Sequence, residues 1–168
     1  MFNRVLVPLD GSRYSARALP YALEIAKRFS SEVMLLQVIH PAPVNIPTVA
    51  GDAMINTQAI EAVERSAQAQ DRRDVAKAGR YLRTRTEKMQ GIRSSFHVEL
   101  GEPAETIIKF SRKEAVDLVV MTTSGKSGLK RAFLGSVADK VIREPGIPVL
   151  AVRPGKRPSK KSKAMKRQ

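Results

Sequence analysis

An open parallel sheet of five strands, with helices on both faces, is the α/β fold that this sequence predicts. Short apolar runs alternate with helical stripes in the order β-α-β-α-β-α-β-α-β, which calls for parallel strands joined by right-handed crossovers. Several of the runs are apolar almost without interruption, as strands buried on both faces are. The chain has 168 residues, 42% of them hydrophobic, which suits one core.

The first run is Val5-Leu6-Val7-Pro8-Leu9. It stops at Asp10-Gly11-Ser12, a turn cluster in which Ser12 can cap the next helix. Residues 13–29 place Leu19, Ala22, Leu23 and Ala26 at helical spacing, and Pro20 either kinks this helix or marks its first turn. Val33-Met34-Leu35-Leu36-Gln37-Val38-Ile39 is the second strand, ended by His40-Pro41. Residues 41–56 hold three Pro and a Gly and read as a long irregular connection. From Thr57 to Gln90 the pattern is helical and highly charged, with Val75, Ala78, Leu82 and Met89 on one stripe and Ile60 and Val63 before them. A helix of that length runs about 50 Å, so it must overhang the core or break.

Ser95-Phe96-His97-Val98-Glu99-Leu100 alternates as a strand does and ends at Gly101. Pro103 sits where a first helical position favours it, ahead of Ala104, Ile107, Ile108 and Ala115 on one face. Asp117-Leu118-Val119-Val120-Met121 is the fourth strand. The loop TTSGKSGLKRAFLG leads into a helix carrying Val137, Val141 and Ile142. Glu144-Pro145-Gly146 stops it, and residues 147–152 form the fifth strand.

Composition excludes several chemistries. There is no cysteine, so disulfides, thiol nucleophiles and Cys-ligated metals are absent, and two histidines cannot make a His-only zinc triad. No apolar run approaches the ~18 residues of a membrane span. The first residues lead into a strand without a signal-peptide layout, and the expectation is a cytoplasmic protein with no sequence-evident metal. The net charge is +14, with eight basic and no acidic residues in 153–168, which leaves +6 on residues 1–152. The domain therefore spans 1–153, and 154–168 reads as a basic, disordered tail. That tail is either a solubilising segment or a sequence-blind arm for nucleic acid or an anionic membrane. It has no aromatic residue for base stacking.

In open parallel sheets ligands bind outside the carboxyl ends of the strands, which draws attention to loops 8–13, 38–44, 100–103 and 122–136. Gly125-Lys126-Ser127 looks like the end of a P-loop, but that motif needs a glycine where Val120 stands. No G-x-G-x-x-G follows the first strand, and Asp10 lacks the acidic neighbours of a phosphoryl-accepting receiver. What remains is Gly125, nine residues, then Gly135-Ser136 at a helix start. The amides of Ser136–Ala138 with Lys126, Lys130 and Arg131 suit a phosphate, and equally a glycine-rich connection to a capped helix. Asp10 is either a ligand contact or a turn cap. His40 reads as exposed and His97 as a satisfied packing residue, and neither has a Ser–Asp partnership for nucleophilic catalysis.

VLVPLDGS at 5–12, LLQVIHP at 35–41 and the whole stretch 98–152 resemble the universal stress protein family, along nearly all of residues 2–153. The resemblance implies a Rossmann-like fold, a homodimer joined through the fifth strand, and an ATP or AMP ligand with any Mg2+ carried by its phosphates. ATP-binding members carry G-x2-G-x9-G-[ST] after the fourth strand. Gly125 and Gly135-Ser136 match that pattern, while Thr122 takes the place of its first glycine. By the same resemblance Pro8 and Val38 line the adenine and Asp10 faces the adenosine end. Thr122, Thr123, Ser124, Gly125, Lys126, Ser127 and Gly128, with Gly135, Ser136, Val137 and Ala138, would then wrap the ribose and phosphates. If the family glycine serves a positive φ or a close backbone approach, Thr122 weakens binding; if the position merely ends the strand, its hydroxyl can assist the ribose. The implied function is a nucleotide-binding module in stress response or signalling, with at most slow ATP hydrolysis. A non-nucleotide interaction module working through the basic tail is the alternative.

Overall fold

Val5, Leu6 and Val7 are completely buried, because β1 (Arg4–Pro8) runs through the middle of a five-stranded sheet. The structure is a computed structural model, and it describes residues 1–44, 57–123, 134–144 and 146–153. The other strands are β2 (Glu32–Ile39), β3 (Ser94–Leu100), β4 (Leu118–Thr122) and β5 (Val149–Val152). They pair in parallel in the order β3-β2-β1-β4-β5, with Val5 beside Val33 on one side and Leu118 on the other. The chain winds outward from β1 to β3, then restarts beside β1 with β4. The switch point therefore lies between the carboxyl ends of β1 and β4, where such sheets open a crevice.

Successive strand residues face opposite sides, and each side has its own core. Val5, Val7, Val33, Leu35 and Val120 pack against Ala22 and Ala26 of α1 (Leu19–Phe29) and Leu82 of α2 (Thr57–Thr86). Leu6, Met34, Leu36, Val119 and Met121 pack against Ile107 and Phe110 of α3 (Pro103–Lys113) and Ala138 and Val141 of α4 (Ser136–Ile142).

Pro20 marks a first turn and makes no kink. A 3-10 turn, Ser15–Ala18, precedes α1, and the Ser12 hydroxyl accepts from the amides of Tyr14 and Ser15 at 3.2 and 3.1 Å. α2 runs unbroken for 30 residues, about 45 Å, and buries only Ala78 and Leu82, so it overhangs the core. Ala115 lies beyond α3 in a turn with φ of 47°; the expected Ala104 and Ile107 are buried, with Phe110 and Ser111 completing that face and Ile108 partly buried beside it. Ile142 is exposed at the end of α4. β5 starts at Val149, after Pro148, which has no amide to donate but accepts from Val119 N–H at 2.9 Å. Among the described residues no helix is long and apolar enough to cross a membrane. Pro145, the rest of the 41–56 connection beyond Val44, and the basic tail lie outside the described residues.

Candidate functional site

At the switch point a cleft of about 370 Å³ opens on the α3/α4 side of the sheet. Its walls carry Pro8 at the end of β1 and Asp10 beyond it, Val38 of β2, Thr122 at the end of β4 and Thr123 beyond it, and Gly135, Ser136, Val137 and Ala138 at the start of α4. Nine of the residues expected from the sequence thus converge on one cavity from three strand ends and a helix start. The others, Ser124, Gly125, Lys126, Ser127 and Gly128, lie outside the described residues.

The loop after β1 is shaped by Asp10. Its Oδ1 accepts from the amide of Ser12 at 2.9 Å and from the Ser15 hydroxyl at 2.6 Å, across Gly11 with φ of 81°. Asp10 is therefore a turn cap and a cleft wall together. A side chain at Gly11 would be strained in that backbone.

Main-chain bonds hold the opposite wall. Thr122 is buried, pairs with Val152 as the last residue of β4, and lies outside the left-handed backbone region. The Thr123 amide donates to the Val152 carbonyl at 3.0 Å, and the Thr123 carbonyl accepts from Gly135 N–H at 2.8 Å. That second bond pins the start of α4 to the end of β4. The helix's own bonding begins with Asp139 N–H to Gly135 carbonyl at 2.8 Å, so the amides of Ser136, Val137 and Ala138 precede it.

The cleft floor was not legible as a site in the sequence. Leu36, Met121, Ile107 and Pro103 line it together with Leu9 and Ser15. The first three read as core, and they are core residues that also end at a cavity. Strand parity offers a partial signal: Leu36, Val38 and Met121 share one sheet face, next to the carboxyl ends. Ser15 could have been found from its three-residue spacing to Ser12.

A second cleft of about 480 Å³ lies on the α2 side and shares Asp10, Val38 and Pro103 with the first. Gln37, 9% exposed, and Tyr81 line it, and Gln37 Oε1 and Tyr81 Oη are buried without a hydrogen-bond partner among the described residues. Burial raises the Tyr81 pKa above the ordinary tyrosine value; the Arg85 guanidinium, 3.5 Å from the ring centroid, pulls it back, and the Asp10 carboxylate adds to the rise. Above about pH 10 the unfolded chain has released a proton that the fold still holds, so this contribution is whole below pH ~10 and is lost as pH climbs through the folded value. The chain has three Tyr and no Trp, which keeps the phenolate absorbance uncrowded. The difference between the 295 nm titrations of the native protein and Tyr81→Phe should have its midpoint above 10; a midpoint at the ordinary value would mean that Tyr81 is not buried as described.

Of the two histidines, His40 is exposed and its Nε2 lies 2.9 Å from a carboxylate oxygen of Glu102. His97 packs against Phe110 with ring centroids 4.8 Å apart, but its buried Nε2 has no hydrogen-bond partner among the described residues, so there it is packed without being satisfied. Among the described residues no three His, Asp or Glu side chains gather as a metal site.

The model of the universal stress protein family matches residues 1–153. Universal stress protein YxiE of Bacillus subtilis is 35% identical over 156 residues, covering 91% of this chain and all of YxiE. The solved structure of MJ0577 from Methanocaldococcus jannaschii superimposes with a TM-score of 0.76 at 26% identity, covering 94% of this chain and 99% of that one. A family protein from Arabidopsis thaliana with AMP bound shares the fold at a TM-score of 0.55 and 16% identity, over 95% of this chain and 99% of its own. A universal stress protein in complex with cAMP does so at 0.55 and 21%, over 90% and 97%.

Proposed function

The chain belongs to the universal stress protein family, and on that premise we propose that its switch-point cleft binds an adenine nucleotide, ATP or AMP. The carrying observation is the convergence on one cavity of residues far apart in sequence: Asp10, Val38, Thr122 and Ser136 all line it. At about 370 Å³ the cleft falls within the usual range for small-molecule sites. Its lining also suits the ligand. Leu36, Val38, Ile107 and Met121 form an apolar wall for a flat base, and Asp10 lies at its edge with an acceptor for ribose hydroxyls. The α4 amides that precede the helix's own bonding suit phosphate oxygens, as does the Ser124–Gly128 loop of the sequence pattern. The AMP and cAMP held by two proteins of the same fold support this reading.

The backbone conformation of Thr122 does not count against it. The residue is extended and strand-paired, so nothing at this position calls for a positive φ. On this reading the protein is a nucleotide-dependent module of stress response or signalling, with any Mg2+ carried by the phosphates. Binding is on this reading the function, with at most slow hydrolysis of a bound ATP.

The test is to denature freshly purified protein and identify the released nucleotide by chromatography and mass. Near-stoichiometric ATP or AMP, or a calorimetric isotherm with either, is the expected result. An empty protein with no response to millimolar ATP or AMP would overturn the proposal.

The same reading makes the protein a homodimer joined along β5. That strand is an edge of the sheet, with Leu150 37% exposed and Ala151 exposed beside it, and a bare apolar edge favours pairing. Val149 and Val152 pack inward against the two cores, so Leu150 is the clean probe. Leu150→Lys should shift sedimentation from dimer to monomer without lowering the melting temperature of the monomer. An unchanged dimer would place the interface elsewhere.

A further inference from the structure

We propose that the outward face of α2 is a docking ridge for the phosphate backbone of nucleic acid, independent of sequence. Arg72, Arg73, Lys77, Arg80 and Arg83 are all exposed. Arg72, Arg73 and Arg80 stand on the side of the helix away from the buried Ala78 and Leu82, and they are flanked by Lys77, at the rim of the α2-side cleft, and Arg83, whose guanidinium lies 6.0 Å from the Phe96 ring centroid. At 100° per residue Arg73, Lys77 and Arg80 share one row and Arg72 and Arg83 a second row beside it. Between residues 72 and 84 the two rows hold no acid; the other positions are Ala76, Gly79 and Thr84. Asp74 points elsewhere and accepts from the Gln70 amide at 2.9 Å. Among the described residues no carboxylate lies within ion-pair distance of these five cations. Arg65, one turn and more earlier on the same helix, has Glu61 at 3.3 Å in the ordinary i, i+4 manner.

The arrangement works against the helix. Arg73–Lys77, Lys77–Arg80 and Arg80–Arg83 are like-charge neighbours at spacings of four, three and three, which repel on a helix surface. A polyanion lying along the ridge turns that repulsion into attraction. The ridge is about 16 Å long, and about ten phosphate charges of a duplex fall within that length of its axis. Four of the five cations are arginines, whose planar fork takes two phosphate oxygens at once. Neither row offers Asn, Gln or an aromatic side chain to a base, so the contact positions without reading sequence.

A lipid surface fits less well. A helix that lies on a membrane presents an apolar face to it, and alongside this ridge the apolar positions of α2, Ala78 and Leu82, are already buried against the sheet. The ridge is on the α2 side while the proposed nucleotide cleft is on the α3/α4 side, so the two ligands do not compete.

The test uses the full chain and a fluorescein-labelled 20-base-pair DNA of arbitrary sequence, followed by anisotropy between 50 and 200 mM NaCl. Arg72→Gln, Arg73→Gln and Arg80→Gln are combined in one variant, with the basic tail left intact. We expect at least about tenfold weaker binding at 0.1 M salt and a log–log salt slope shallower by about 2.7, three contacts' worth. The variant should melt no lower than the native protein, since relieved repulsion cannot destabilise α2. Absence of duplex binding by the native chain at 50 mM salt would overturn the proposal. So would an unchanged slope, which assigns binding to the tail. Loss of binding to phosphatidylglycerol vesicles with duplex binding unchanged would overturn it in favour of a membrane.

Discussion

Val137→Trp is expected to abolish binding of ATP and AMP, by at least about 100-fold or ~2.7 kcal/mol, in a protein that still folds. Val137 is half-buried at the start of α4 and contributes to the cleft wall. An indole there occupies the space that the base or ribose needs, and it also crowds the amides of Ser136 and Ala138. The backbone of α4 is held independently, by the bond from Gly135 N–H to the Thr123 carbonyl and by burial of Ala138 and Val141. The far-UV circular dichroism spectrum and the cooperativity of melting should therefore stay native-like. Titration calorimetry of both proteins with ATP and with AMP reads the effect. Native-like affinity in the folded variant would exclude this cleft as the nucleotide site, whatever else the protein binds.

Leu35→Ala should be the most costly of simple truncations. Leu35 is completely buried in β2 and belongs to the core beneath α1 and α2. Deleting its three outer carbons in a packed interior costs about 2–5 kcal/mol, transfer and cavity terms together. In a chain of this size ~3 kcal/mol lowers the melting temperature by roughly 10 °C. Leu100→Ala removes the same atoms from the end of the other edge strand, β3, where the side chain is 49% exposed, and its cost should be markedly smaller. Urea unfolding of the two variants makes the comparison at constant chemistry. Equal costs would mean that Leu100 is covered as deeply as Leu35, and hence that the end of β3 is not open in the folded protein.

The parts of the molecule legible in the sequence are those written in local pattern. β1 was recognisable because Val5, Leu6 and Val7 face two cores and all three are apolar. Pro103 announced the first turn of α3, and Gly135-Ser136 the start of α4, because caps and first turns have their own residue chemistry. Where boundaries drifted, competing physics explains it. Ala115 was assigned to α3 by periodicity, yet the helix ends at Lys113 and the chain turns through a positive φ. Pro148 delayed β5 because it lacks an amide to pair.

The same reasoning reached nine cleft residues and passed over Leu36, Met121 and Ile107. An apolar residue carries the same signature whether its far side meets another side chain or an open cavity. Likewise the charge pattern of α2 was visible, but which arginines would stand in line on its outer face depended on where the sheet gripped the helix. Grip at Ala78 and Leu82 turned Arg72, Arg73 and Arg80 outward and left the first turns beyond the core.

Periodicity, capping and turn chemistry were thus enough for the α/β class and its elements, and the family showed in the resemblance of whole segments such as VLVPLDGS at 5–12. Such patterns act between residues a few positions apart, so one strand of text contains them. Strand order, the double role of Asp10, the sharing of Asp10 and Val38 between two clefts, and the apolar floor of the nucleotide cleft came only with the tertiary structure. Each joins segments dozens of residues apart, and periodicity says which side of an element a residue occupies but not what will be packed against it.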